Sequence, residues 1–165
     1  MSNEKYIALN AAIHKNTILK KAVIFADTQL PKTVCGIFYV LLFYLAVRLD
    51  KRIFACAAIP WLDFCLVTLI RRCINSRRPF EVCGYEPITG HSKGKSCPSR
   101  HASSAVIIAF SVFYISKPLG IFTAAIGIAV CVSRIISGVH YIHDVVYGAL
   151  LSVIFGYVCF FVILN

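Results

Sequence analysis

Negative charge is scarce in this sequence. Its 165 residues carry 7 Asp and Glu against 17 Lys and Arg, a net charge of +10. With so few carboxylates, a magnesium site built on oxygen ligands is not expected. Charge of either sign is thin as well: 15% of residues are charged and 59% are hydrophobic, a balance outside the soluble range that points to residence in a membrane. No Cys-x2-Cys or His-x3-His pair occurs, so zinc is not expected either. Internal repeats, heptads and low-complexity segments are absent. No cleavable leader is expected, because Met1 to Lys21 is polar and broken by charges; the first membrane segment must then direct insertion itself. A basic excess in a soluble chain would suggest nucleic acid. Here the arginines gather at the ends of apolar runs, so the expected partners are the bilayer and a phosphorylated lipid, not nucleic acid. The sequence leaves the oligomeric state open.

The length suits one domain, residues 1–165, and the fold class expected is all-α: a polytopic bundle of about five transmembrane helices with an N-terminal amphipathic helix at the interface. Residues 1–32 form the amphipathic segment. Ile7, Leu9, Ile13, Ile18, Val23 and Ile24 alternate there with Lys5, Lys15, Lys20, Lys21 and Asp27, too many charges for a spanning helix. Pro31 is expected to end it. The core, residues 33–164, then crosses at about 33–47, 53–70, 102–116, 119–133 and 144–164, with a polar loop at 71–101 punctuated by Pro79, Gly84, Pro87, Gly90, Gly94 and Pro98. Arg48, Asp50, Lys51 and Arg52 make a charged turn that the positive-inside rule places in the cytoplasm. Counting crossings puts the polar loop, and the N-terminal helix with it, on the outer face. The lysines of that helix argue the other way; if the N-terminal segment crosses, the N-terminus lies inside.

Three polar clusters end the apolar runs. The first is Arg71, six residues, Arg78-Pro79; the second is Pro98-Ser99-Arg100-His101; the third is Ser133-Arg134, five residues, His140, three residues, Asp144. Two crossings separate the second from the third, so His101 and His140 emerge on one membrane face. Arginine's planar fork pairs with phosphate oxygens and keeps its charge, which makes Arg71, Arg78 and Arg134 candidate phosphate ligands. Ser99, at the expected N-cap of the third crossing, adds a hydroxyl and free backbone N–H groups. His140 and Asp144, four apart, would share a helix face, with the carboxylate fixing the imidazole tautomer.

In order and internal spacing, these clusters resemble the signature of the type 2 phosphatidic acid phosphatase superfamily, which includes membrane lipid phosphatases and soluble vanadium haloperoxidases. That pattern reads Lys-x6-Arg-Pro, Pro-Ser-Gly-His and Ser-Arg-x5-His-x3-Asp, and the resemblance covers roughly residues 33 to 160. Arg71 stands where the family has lysine, and Arg100 where it has glycine. The resemblance implies that His140 is the nucleophile that becomes phosphohistidine, that Asp144 orients it, and that His101 protonates the leaving group and later activates water. It implies no metal and no cofactor. A haloperoxidase is not expected from this hydropathy. The activity implied is removal of phosphate from a lipid at the outer face of the cytoplasmic membrane. Undecaprenyl diphosphate is the foremost substrate, with phosphatidylglycerophosphate, phosphatidate or lipid A as alternatives. A lipid phosphotransferase and a non-catalytic anionic-lipid-binding protein are the readings from other classes.

Four further residues, Arg100, Asp63, Pro98 and Gly138, are expected to touch substrate or to support the residues that do. Arg100 is read as reaching a second phosphate, or else as a surface arginine with no site role. Asp63, eight residues before Arg71, is read as a buried carboxylate holding a site arginine, or else as a protonated or interfacial side chain. Arg72 and Arg77 are read as snorkelling to headgroups, and His143 as pointing about 100° away from Asp144's face. His91, beside Lys93 and Lys95, suits recruitment of an anionic headgroup or simply a solvated loop; His14 has no assigned role. Cys35, Cys56, Cys65, Cys131 and Cys159 read as small buried hydrophobes. On an oxidising face, a Cys83–Cys97 bridge would contribute about 3 kcal/mol by loop closure, but free thiols are the expected state.

Overall fold

The structure, a computed structural model, describes residues 2–90 and 92–164. All regular structure among them is helical. α1 spans Asn3–Lys15, α2 Thr17–Val47, α3 Arg52–Ile74, α4 Pro79–Cys83, α5 Arg100–Ile115, α6 Lys117–Ile136 and α7 Ile142–Tyr157. A π-helical segment, Val158–Ile163, prolongs α7. Thr17–Val47, Arg52–Cys83, Lys117–Ile136 and Ile142–Ile163 are long and apolar enough to cross a membrane, and Arg100–Ile115 is a shorter apolar helix. The expected all-helical bundle with about five apolar helices is therefore present, and the chain is a membrane protein.

The N-terminal helix boundary differs from the expectation. The break falls at Asn16, whose extended backbone leaves the helix while its side chain accepts from the N–H groups of Ile18 and Leu19, at 3.0 Å each. Pro31 does not end a helix; it sits inside α2. Its missing N–H leaves the carbonyl of Asp27, four residues back, without a helical donor. Tertiary contacts satisfy that carbonyl, which is why the helix continues.

α5 is the central helix, packing against α2, α3, α6 and α7. The buried core includes Leu45, Cys56, Ile107, Val112, Val130 and Phe160. Large apolar side chains such as Tyr39, Phe43, Phe54, Trp61, Ile121 and Phe122 point outward, as a bilayer permits and water does not. α1 packs against α4. Tyr6 is buried and its hydroxyl accepts the Ile142 N–H at 3.1 Å, while Asn10 donates to the carbonyl of Glu86 at 3.2 Å. The N-terminal helix thus covers the polar loop, on the side of the bundle opposite the turn at 48–51.

Candidate active site

The last turn of α3 carries Arg71, and Asn75 in the left-handed region (φ 43°) ends that helix so the chain can turn into the loop. Arg71 Nη1 donates to the carbonyl of Pro98 at 3.1 Å, joining the first cluster to the second. Arg78 Nη1 donates to the carbonyl of Val139 at 3.2 Å, joining the first to the third, and its Nε donates to Gly94 O at 3.2 Å. Glu81 steadies this arrangement, its Oε1 accepting the N–H of Arg78 at 3.1 Å and that of Gly94 at 2.6 Å. The second and third clusters meet directly where the Ser99 N–H donates to the Asp144 carbonyl at 2.9 Å.

His140 is buried, and its Nδ1 lies 3.6 Å from Asp144 Oδ2. The two do not share a helix face: His140 precedes α7 in a turn, while Asp144 stands in the first turn and accepts the Tyr141 N–H at 2.9 Å. The carboxylate thus caps the helix and faces the imidazole at once. Ser96, which sequence reasoning missed, donates its hydroxyl to the same Oδ2 and lies 3.4 Å from His140 Nδ1. His143, set aside from the sequence, meets the other oxygen, its Nε2 3.2 Å from Asp144 Oδ1, with its ring stacked on Tyr141. Burial lowers the His140 pKa from 6.5 to about 4; the Asp144 contact opposes this, and the charges of Arg78 and Arg71 add to it. The imidazole is neutral at physiological pH, the form a nucleophile needs. Burial, and after it Asp144, push the Cys97 thiol up to about 11, so it is no thiolate.

Ser99 is the N-cap of α5, as expected, yet its Oγ is buried and makes no hydrogen bond within the described residues. The Thr68 hydroxyl is in the same condition. Two glycines permit the packing around these groups. A Cβ on Gly148 would lie 2.5 Å from the Ser99 carbonyl, so only glycine lets α7 approach this close. Gly138, at φ 72°, turns the chain toward His140 and accepts a hydrogen bond from the Tyr85 hydroxyl at 2.8 Å.

A pocket of about 300 Å³ opens on the site, lined by Thr68, Arg71, Arg72, Arg78, Ser92, Lys95, Arg100, His101 and His140. Arg72, read as a headgroup anchor, faces it. A second, apolar groove of about 650 Å³ runs between α2, α3 and α5 past Val34, Cys35, Tyr39, Phe64 and Ile108. Arg100 and His101 line both. The Arg100 guanidinium sits over the Phe64 ring, 5.6 Å from its centroid.

Two carboxylates have partners that were not anticipated. Asp63 meets no arginine: it accepts from Ser103 at 2.7 Å and from Ser152 at 2.9 Å, a buried knot of α3, α5 and α7. Its carboxylate faces α5 and α7, where these serines are its hydrogen-bond donors among the described residues. Arg134 pairs with Asp27 of α2 at 3.3 Å and is not among the residues lining the cationic pocket. The eight cysteines are free thiols, Cys83 and Cys97 included. His91 lies outside the described residues. Among those described, no three His, Cys, Asp or Glu side chains gather as a metal site.

The description of the PAP2 superfamily matches residues 53–165, the segment that carries all three clusters. The chain belongs to the PAP2 superfamily. No curated protein matches it by sequence. Among solved structures, LpxE from Aquifex aeolicus superposes with a TM-score of 0.75 at 21% identity, covering 94% of this chain and 92% of the other. A transmembrane PAP2-type phosphatidylglycerolphosphate phosphatase from Bacillus subtilis superposes with a TM-score of 0.58 at 20% identity, covering 93% and 90%. At these identities the shared property is the fold. This PAP2 chain has that fold over nearly its whole length, including the N-terminal helices that the family description does not reach.

Proposed function

We propose that this PAP2 protein is an integral-membrane lipid phosphatase acting on a diphosphate lipid, with undecaprenyl diphosphate, converted to the monophosphate, as the first substrate to test. One observation carries the reading: an apolar groove and a cationic pocket meet at Arg100 and His101, beside a buried neutral histidine. A lipid tail in the groove would bring its phosphates to Arg71, Arg78 and His140. Arg72, Lys95 and Arg100 are further positive charges than one phosphoryl group needs.

In the proposed reaction, His140 Nε2 attacks phosphorus in line with the leaving oxygen. The new N–P bond forms as the P–O bond breaks, and His101 gives its proton to the departing oxygen. Water then attacks the phosphohistidine, His101 takes a proton from it, and the N–P bond breaks to release inorganic phosphate. Ser96 and Asp144 keep the Nδ1 side of the imidazole engaged throughout. The unpartnered Ser99 and Thr68 hydroxyls are available to the phosphoryl oxygens. No step calls for a metal. We place the site on the outer face of the cytoplasmic membrane, because the basic turn at 48–51 lies at the opposite end of the bundle.

A monophosphate lipid such as phosphatidylglycerophosphate, phosphatidate or lipid A is the second reading. The seat of Arg100 over Phe64 favours it, since a guanidinium stacked on an aromatic ring is already engaged. The test is phosphate release by the detergent-purified protein, with EDTA present, from undecaprenyl diphosphate and phosphatidate, beside a His140→Ala variant. Release that survives EDTA and vanishes in the variant supports the histidine mechanism, and the preferred lipid decides between the two readings. Arg100→Gly is expected to lower the preference for diphosphate over monophosphate; an unchanged preference removes Arg100 from that role. Turnover only with an added alcohol acceptor would instead make the protein a phosphotransferase.

A further inference from the structure

The motif arginine Arg134 is held by a residue that the family description does not reach. Asp27 lies on α2, 26 residues before the matched segment 53–165 begins. It is almost fully buried and accepts from three side chains: Arg134 Nη1 at 3.3 Å, Thr89 Oγ1 at 2.8 Å and Ser137 Oγ at 3.2 Å. Arg134 Nη2 also donates to the main-chain carbonyl of Asp27. That carbonyl is available because Pro31, four residues on, has no N–H to fill it. One guanidinium therefore takes both the carboxylate and the freed carbonyl of a single residue, a two-point seat that fixes its plane. Arg134 is near enough to Arg78 for their like charges to interact.

We propose that Asp27 is the positioning residue for Arg134, holding its guanidinium close to Arg78 and just outside the lining of the phosphate pocket, and that Pro31 completes the seat by baring the Asp27 carbonyl. The inference rests on the phosphatase reading, in which the charge of Arg134, close to that of Arg78, adds to the pull of the pocket on the phosphoryl group. It gives α2 a second task besides lining the groove. It also explains a buried carboxylate in a membrane segment, where an unpaired one is costly.

The test uses the full-length protein in detergent, with inorganic phosphate as the probe. Phosphate affinity is measured by calorimetry, KM and kcat by phosphate release, and folding by Tm. Asp27→Asn is expected to weaken phosphate binding roughly tenfold and to raise KM by a similar factor, about the loss of one hydrogen bond to a charged group. Asp27→Glu should recover part of the loss. In an Arg134→Ala background, Asp27→Asn should weaken phosphate binding no further, because its effect passes through that arginine. Pro31→Ala, which restores a helical donor to the Asp27 carbonyl, should weaken phosphate binding in the same direction. The proposal is overturned if Asp27→Asn binds phosphate as the wild type does while only Tm falls, or if its effect adds to that of Arg134→Ala. It is equally overturned if Arg134→Ala keeps wild-type phosphate affinity. Should the wild type bind phosphate but hydrolyse no lipid, the phosphatase reading fails, and the binding comparison still decides the role of Asp27.

Discussion

Nδ1 of His140 and Oδ2 of Asp144 stand 3.6 Å apart, and the hydroxyl of Ser96 is bonded to that carboxylate oxygen while lying 3.4 Å from the imidazole. The proposed nucleophile is therefore oriented by two residues from different parts of the chain. Ser96→Ala is expected to lower kcat about tenfold while leaving KM within twofold, since the serine acts on the imidazole and not on the lipid. Asp144→Asn should cost more, about 10²–10³-fold, because the carboxylate also caps α7 and stabilises charge on the histidine. Steady-state phosphate release from the preferred lipid checks both, and equal losses in the two variants would remove the distinction.

The depressed pKa of His140 has a signed consequence. In the unfolded chain the imidazole titrates near 6.5, in the folded protein near 4. Between those values the unfolded state binds more protons, so stability is present in full above about 6.5 and falls as pH drops toward 4. Tm measured against pH should show this slope in the wild type and lose it in His140→Ala. The acidic limb of kcat/KM that belongs to the nucleophile should likewise fall well below pH 6.5.

Asp63 ties α3, α5 and α7 through Ser103 and Ser152. Asp63→Asn keeps a carbonyl oxygen as acceptor and should cost about 1 kcal/mol. Asp63→Leu leaves both hydroxyls without that acceptor and should cost about 2–4 kcal/mol. Thermal unfolding in detergent ranks the two. A larger loss in the asparagine variant would mean that the carboxylate charge itself is required.

Gly148 is the contact point between α7 and Ser99. A methyl group there would meet the Ser99 carbonyl at 2.5 Å and the Ser99 nitrogen at 3.1 Å. Gly148→Ala should destabilise the protein by about 1–3 kcal/mol and lower activity through displacement of Ser99 and His101. Gly127→Ala on α6, whose added carbon would find ordinary contact with Ala105 at 3.5 Å, is the control and should be close to neutral in Tm and turnover.

The bundle was legible in the sequence because apolar run length and helix-breaking residues are local signals. Residues 53–70 and 119–133 announce helices whatever surrounds them, and α3 and α6 cover them. Pro31 misled for the opposite reason. Proline removes a backbone bond wherever it stands, but whether the helix stops depends on who satisfies the freed carbonyl, and here that is Arg134, 107 residues away. The three clusters were legible as well, since their order and internal spacing resemble a family pattern that carries arginines, two histidines and a carboxylate.

What spacing alone determined was which residues belong together: Arg71 with Arg78, Ser99 with His101, His140 with Asp144. Only the tertiary structure decided which of their atoms meet. Asp27 reaches Arg134, Asp63 reaches two serines and no arginine, Ser96 reaches Asp144, and His143 turns back on the carboxylate beside it. Each of these depends on how a helix is rotated about its own axis and how deeply it sits against its neighbours. That rotation is set by packing around α5 as a whole, and no short stretch of sequence encodes it.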